Sequence, residues 1–94
     1  MSVSQKEIGQ RIRLCRQEMG TSASKTALDL NISVDHYRKL ESGHRIPTVE
    51  MLASLSEYFN VSTDYLLFGS SHKGEIYAEL DAAIQKLVYI KKFI

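Results

Sequence analysis

The chain has 94 residues, 44% of them hydrophobic and 24% charged, which fits one soluble globular domain rather than a disordered or membrane-embedded chain. One cysteine, Cys15, excludes an internal disulfide and a cysteine-rich zinc site. No run approaches the roughly 18 apolar residues of a membrane span, and the N-terminus lacks the apolar core of a signal peptide, so a cytoplasmic protein is expected. The formal net charge is only +1, but the charge is segregated. Eight basic residues face five acids up to Ile46, whereas Pro47 to Gly69 holds three acids and no Lys or Arg. A basic face can approach phosphates while the acidic part faces away.

The predicted elements are all helical. Residues 4–19 place Ile8, Ile12, Cys15 and Met19 on one apolar stripe, with Ser4 and Glu7 spaced as a capping box and Gly20 as the stop. Cys15 on that stripe reads as a small core residue. A short helix follows from Ser22 to Leu30, with Ala23, Ala27 and Leu30 on one face. Asn31, which tolerates the left-handed conformation, begins a tight turn. Ser33 then caps a helix over Val34–Ser42 that buries Tyr37 and Leu40 and ends at Gly43. Two helices joined by about three residues have helix-turn-helix spacing. Thr48 caps a fourth helix with Leu52, Leu55 and Phe59 inward, and Asn60 ends it. Ser62 caps a last single turn holding Tyr65, Leu66 and Leu67, closed by Gly69. Residues 70–74 read as a small polar linker. Residues 75–94 form a sixth, amphipathic helix whose Ile76, Leu80, Ile84 and Leu87 make a stripe costly to leave in water. That stripe is expected to mediate dimerisation, with folding back on its own domain as the alternative.

Gly20 to Gly43 resembles the helix-turn-helix of the phage repressor/Cro (XRE) family. Ile8-Gly9-Gln10-Arg11-Ile12-Arg13 looks like the family's first helix, Leu40-Glu41-Ser42-Gly43-His44-Arg45-Ile46-Pro47 like its post-recognition loop, and Val61–Gly69 like its closing turn. The likeness covers residues 6–69. Departures are Ala23, where the family often has a phosphate-holding Gln, Thr26 for a core Leu, Asn31 for the turn Gly, and Tyr37 for a common Ile.

The resemblance implies an all-α fold, a five-helix repressor-like domain at residues 1–69 followed by the C-terminal helix. It implies a transcriptional regulator, a repressor, whose third helix enters the major groove. On its outer side stand Val34, Asp35, Arg38 and Lys39, with His36 nearby. Val34, Asp35 and Lys39 match the family's base-reading positions. Lys39 suits guanine O6/N7, Asp35 cytosine N4 and Val34 a thymine methyl. Phosphates are expected at the backbone of Ser22 and Ala23, where the second helix starts, and at Ser42, Gly43, His44 and Arg45. Arg16 and Glu41 look like the family's pair tying the first helix to the end of the recognition helix. One such domain covers few base pairs, so a homodimer on a palindromic operator in double-stranded DNA is expected. No clustered nucleophile and base, metal-ligand spacing or phosphate loop is visible, so neither an enzyme nor a cofactor is expected. The near-balanced charge of residues 1–69 leaves one alternative. That is an interaction module, antitoxin-like or an adaptor, which keeps the fold with weak or no DNA binding.

Overall fold

A computed structural model describes residues 3–69 together with Ile84, Lys86 and Leu87. Among the described residues there are five named helices and no strand: α1 (Gln5–Met19), α2 (Ala23–Asp29), α3 (Val34–Ser42), α4 (Val49–Phe59) and α5 (Thr63–Phe68).

Each helix starts where a hydroxyl can satisfy an unpaired amide. Ser4, Ser22, Ser33, Thr48 and Ser62 accept from the amides of Glu7, Lys25, His36, Met51 and Tyr65. Such a cap contributes about 1 kcal/mol. The capping box at α1 is not reciprocal, because Glu7 turns to Arg11, 3.5 Å away on the next turn. Helices end through left-handed residues: Gly20 after α1, Gly43 after α3 and Asn60 after α4. Asn31, with φ of 59°, starts the turn between α2 and α3.

Helix α1 is the hub, packing on α3, α4 and α5, while α2 leans on α3. Its Ile8, Ile12 and Cys15 meet Ala27, Tyr37, Leu40, Leu55, Phe59 and Leu66 in one core. Burial pushes the Cys15 thiol above its ordinary pKa, with Glu18 adding to the shift. Thr26, at the position of a family leucine, is fully buried and donates its hydroxyl proton to the Ser22 carbonyl at 3.0 Å. The bond removes the cost of placing a hydroxyl in the core.

Two expectations need correction. Met19 shares the α1 stripe but is 48% exposed, because it is the last helical residue before Gly20 turns the chain away. Leu52 is half-buried at the edge of the core rather than inside it.

Close helix approach depends on two glycines. A Cβ on Gly9 would lie 2.5 Å from the carbonyl oxygens of Leu40 and Glu41, so α1 and α3 touch backbone to backbone there. A Cβ on Gly43 would lie 2.7 Å from the Lys6 Cα.

The linker at 70–74, Ile76 and Leu80 lie outside the described residues. Ile84 and Leu87 are helical and exposed, at 50% and 67%. Among the described residues no helix is long and apolar enough to cross a membrane.

Candidate nucleic-acid interface

Helix α3 is fixed from behind. Tyr37 and Leu40 are buried, and Glu41 is clamped by Arg16 of α1. Arg16 donates from Nε to Glu41 Oε2 at 2.6 Å and from Nη2 to Oε1 at 3.1 Å, a two-pronged geometry that only a guanidinium supplies. Its Nη1 also donates to the Thr21 carbonyl at 3.0 Å, so one side chain holds α1, the approach to α2 and the end of α3 together. The Tyr37 hydroxyl is buried without a hydrogen-bond partner. Burial, and then the Glu41 carboxylate, hold that phenol far above the ordinary tyrosine range, so it stays protonated.

The other side of α3 faces out. Asp35, Arg38 and Lys39 are exposed, and His36 is half-buried. Val34 is half-buried and packs against the core, so only part of its side chain is available outward. Lys39 Nζ reaches Asp35 Oδ2 at 3.1 Å one turn back, so two of the nominated base-reading groups pair with each other.

The nominated phosphate residues form two groups. Ser42, the last residue of α3, and the loop residues Gly43, His44 and Arg45 gather around one acceptor. The Lys39 carbonyl receives the amides of His44 and Arg45 at 3.0 and 3.2 Å and the Ser42 hydroxyl at 3.2 Å. His44 Nδ1 stands 2.7 Å from Ser42 Oγ. The close approach that Gly43 permits within the chain is to Lys6 of α1, a packing reason that sequence reading did not assign to it. Ser22 is exposed and Ala23 half-buried at the other group. They line an open cleft of about 420 Å³ with Arg13, Arg16, Arg38, Glu41 and Ser42.

Three residues that shape this surface carried no functional expectation. Gly9 sets the seam between α1 and α3. Arg11 donates to the Leu66 carbonyl at 3.0 Å and so closes α5 onto α1. Its position, three residues after Ile8 on the flank of the stripe, was the available signal. Arg13 contributes a cation to the cleft. Among the described residues no group of three His, Cys, Asp or Glu side chains is placed to hold a metal ion.

Comparison with known proteins agrees with this geometry. The Helix-turn-helix family matches residues 12–66. The HTH-type transcriptional regulator ImmR of Bacillus subtilis is 38% identical over 60 residues, covering 64% of this chain and 47% of that protein. An SPbeta prophage-derived uncharacterized HTH-type transcriptional regulator, YonR, of the same organism is 39% identical over 62 residues, covering 66% and 57%. The matched segment thus spans about half the length of these relatives. Among solved structures, the S. venezulae BldD DNA-binding domain superposes with a TM-score of 0.61 at 26% identity, over 68% of this chain and 96% of that one. With the α2–turn–α3 geometry in place and more than half of its length matched, the chain belongs to the XRE-type helix-turn-helix family.

Proposed function

We propose that the chain is a sequence-specific DNA-binding transcriptional regulator, a repressor, which places α3 in the major groove as a homodimer on a palindromic operator. The observation that carries this reading is the two-sidedness of α3. Its inner residues are locked to α1, while Asp35, Arg38 and Lys39 stand exposed on a rigid rod. The names of its relatives, and the DNA-binding title of its structural neighbour, point the same way.

Lys39 donates to guanine, Asp35 accepts from cytosine, and the exposed part of Val34 meets a thymine methyl, with His36 beside them. A good base contact contributes about 1–3 kcal/mol of discrimination. Opening the exposed Lys39–Asp35 pair costs only about 0–1 kcal/mol, so the pair does not block reading. Ser22 and Ala23 on one side, and the Ser42–Arg45 loop on the other, grip the phosphates. The role is binding in the cytoplasm, without a cofactor.

Dimerisation falls to the C-terminal stripe. Ile84 and Leu87 are exposed, which supports an intermolecular contact over folding back. Ile76 and Leu80 extend that stripe in sequence.

Selecting bound duplexes from a random pool tests the reading. A two-fold-symmetric consensus is expected, with affinity that falls steeply as salt rises. Failure to enrich any sequence would leave the interaction-module alternative. Truncation after Gly69 is expected to give a monomer by light scattering; an unchanged dimer mass would remove the C-terminal assignment.

A further inference from the structure

We infer that the cleft between α1, α2 and α3 seats a backbone phosphate of the DNA, held between Arg13 and Arg38. The inference rests on the DNA-binding reading, and it assigns Arg38 to phosphate rather than to a base edge.

The cleft holds about 420 Å³ and opens to solvent beside the outer side of α3. Three guanidiniums and one carboxylate line it. The carboxylate, Glu41, is already consumed by Arg16 through two hydrogen bonds. Arg13 and Arg38 are exposed, and neither forms an ion pair among the described residues. Arg11, Lys25 and Lys39 each face a carboxylate, and Lys6 and Arg45, exposed and without an ion pair among the described residues, do not line this cleft. Two unspent guanidiniums across an open cleft make a site for a singly charged, multi-oxygen anion, since each presents a planar fork of donors.

Ala23 gives the cleft its room. A long side chain there would enter the space; alanine leaves it open. Beside the uncharged start of α2, the arginines of the two neighbouring helices supply the charge of the grip. Ser42, at the same cleft, joins it to the anchored loop. One phosphate held there would fix the register in which Asp35 and Lys39 meet the bases, because phosphate contacts position while base contacts specify.

The test uses the full chain, a duplex selected from the random pool and a scrambled duplex of equal length. Arg13→Gln and Arg38→Gln are each expected to weaken both duplexes by the same factor. Each should lower the slope of log affinity against log salt by about one, and the double variant by about two. Circular dichroism and thermal melting unchanged from wild type exclude misfolding as the cause. If Arg38→Gln erases the preference for the selected duplex while the slope holds, Arg38 reads a base and the inference fails. If wild type binds with a salt slope that neither variant changes, the cleft holds no phosphate. Absence of salt-dependent binding by wild type overturns the DNA-binding reading and the cleft with it.

Discussion

Along α3, Tyr37, Leu40 and Glu41 are held by packing in the shared core, and by a close backbone seam and a two-pronged ion pair from α1. On the opposite side, Asp35, Arg38 and Lys39 stand in solvent, and the contact that joins any of them is the Lys39–Asp35 pair, with side chains 53% and 80% exposed. The same helix therefore carries two kinds of residue. Inner ones decide whether the rod exists and where it points. Outer ones contribute little to folding and are free to be chosen for a partner. Substitutions on the two sides should separate cleanly into losses of stability and losses of binding.

The largest effect is expected from Gly9→Ala. The new Cβ meets two carbonyl oxygens at 2.5 Å, and backbone cannot swing aside as a side chain can. Overpacking in a core costs about 1–3 kcal/mol, and a backbone-limited clash should exceed that range. The gain of about 0.5–1 kcal/mol from removing a helical glycine does not offset it. Urea denaturation should show the midpoint falling sharply. A stability equal to wild type would mean that α1 and α3 can separate at no cost, and the inner side would lose its special status.

Glu41→Ala comes next. It strands the Arg16 guanidinium, whose side chain is 16% exposed, and a buried pair broken on one side costs about 3–5 kcal/mol. Arg16 keeps its bond to the Thr21 carbonyl and some access to water, so a loss of about 2 kcal/mol is expected. The preferred DNA sequence should stay the same, because no outer residue is touched. A changed consensus would show that the two sides are not independent.

Lys39→Ala should do the reverse. Stability should stay within about 0.5 kcal/mol, as for other exposed sites. Preference at one base position should relax by about 1–3 kcal/mol in a randomised site library. Loss of stability without loss of preference would reverse the assignment of the outer side.

Much of this architecture is legible in the sequence because it is local. All five helix starts are hydroxyl residues whose side chains reach the amide three residues on, a contact that no distant part of the chain can alter. Left-handed stops at Asn31 and Asn60 are visible for the same reason. Periodicity found Tyr37 and Leu40 but misled at Met19, since it gives the direction of a side chain and not how far its neighbours extend. Gly9 left no signal: in sequence it is merely a weak helix former, and its purpose appears only when α3 arrives. Arg13 stayed silent too. Whether a surface arginine is spent on a carboxylate or left over is a property of the assembled neighbours, and so is the cleft beside it.

The smallest effect lies off α3, on the exposed side of α2, and probes whether an exposed group must be free of structural work. Asp29 accepts from the Tyr58 hydroxyl of α4 at 2.7 Å and from Lys25 Nζ at 2.9 and 3.0 Å. The Tyr58 hydroxyl, and then Lys25, hold its carboxyl below the ordinary aspartate range. A carboxyl whose pKa is depressed by folding contributes stability above its unfolded pKa. That contribution is lost as pH falls through the unfolded value toward the depressed one, where folded and unfolded forms both become protonated. Asp29→Asn removes the linkage, so the variant should be slightly less stable than wild type at neutral pH. The gap should narrow as pH falls through the unfolded value and vanish below the depressed folded one, read as urea midpoints along a series from neutral to acidic pH. A gap that stays constant would mean that Asp29 acts through shape or hydrogen bonding that survives protonation. A gap that closes makes Asp29 an exposed residue spent on joining α2 to α4, the counterpart of Arg38, which is exposed and unspent.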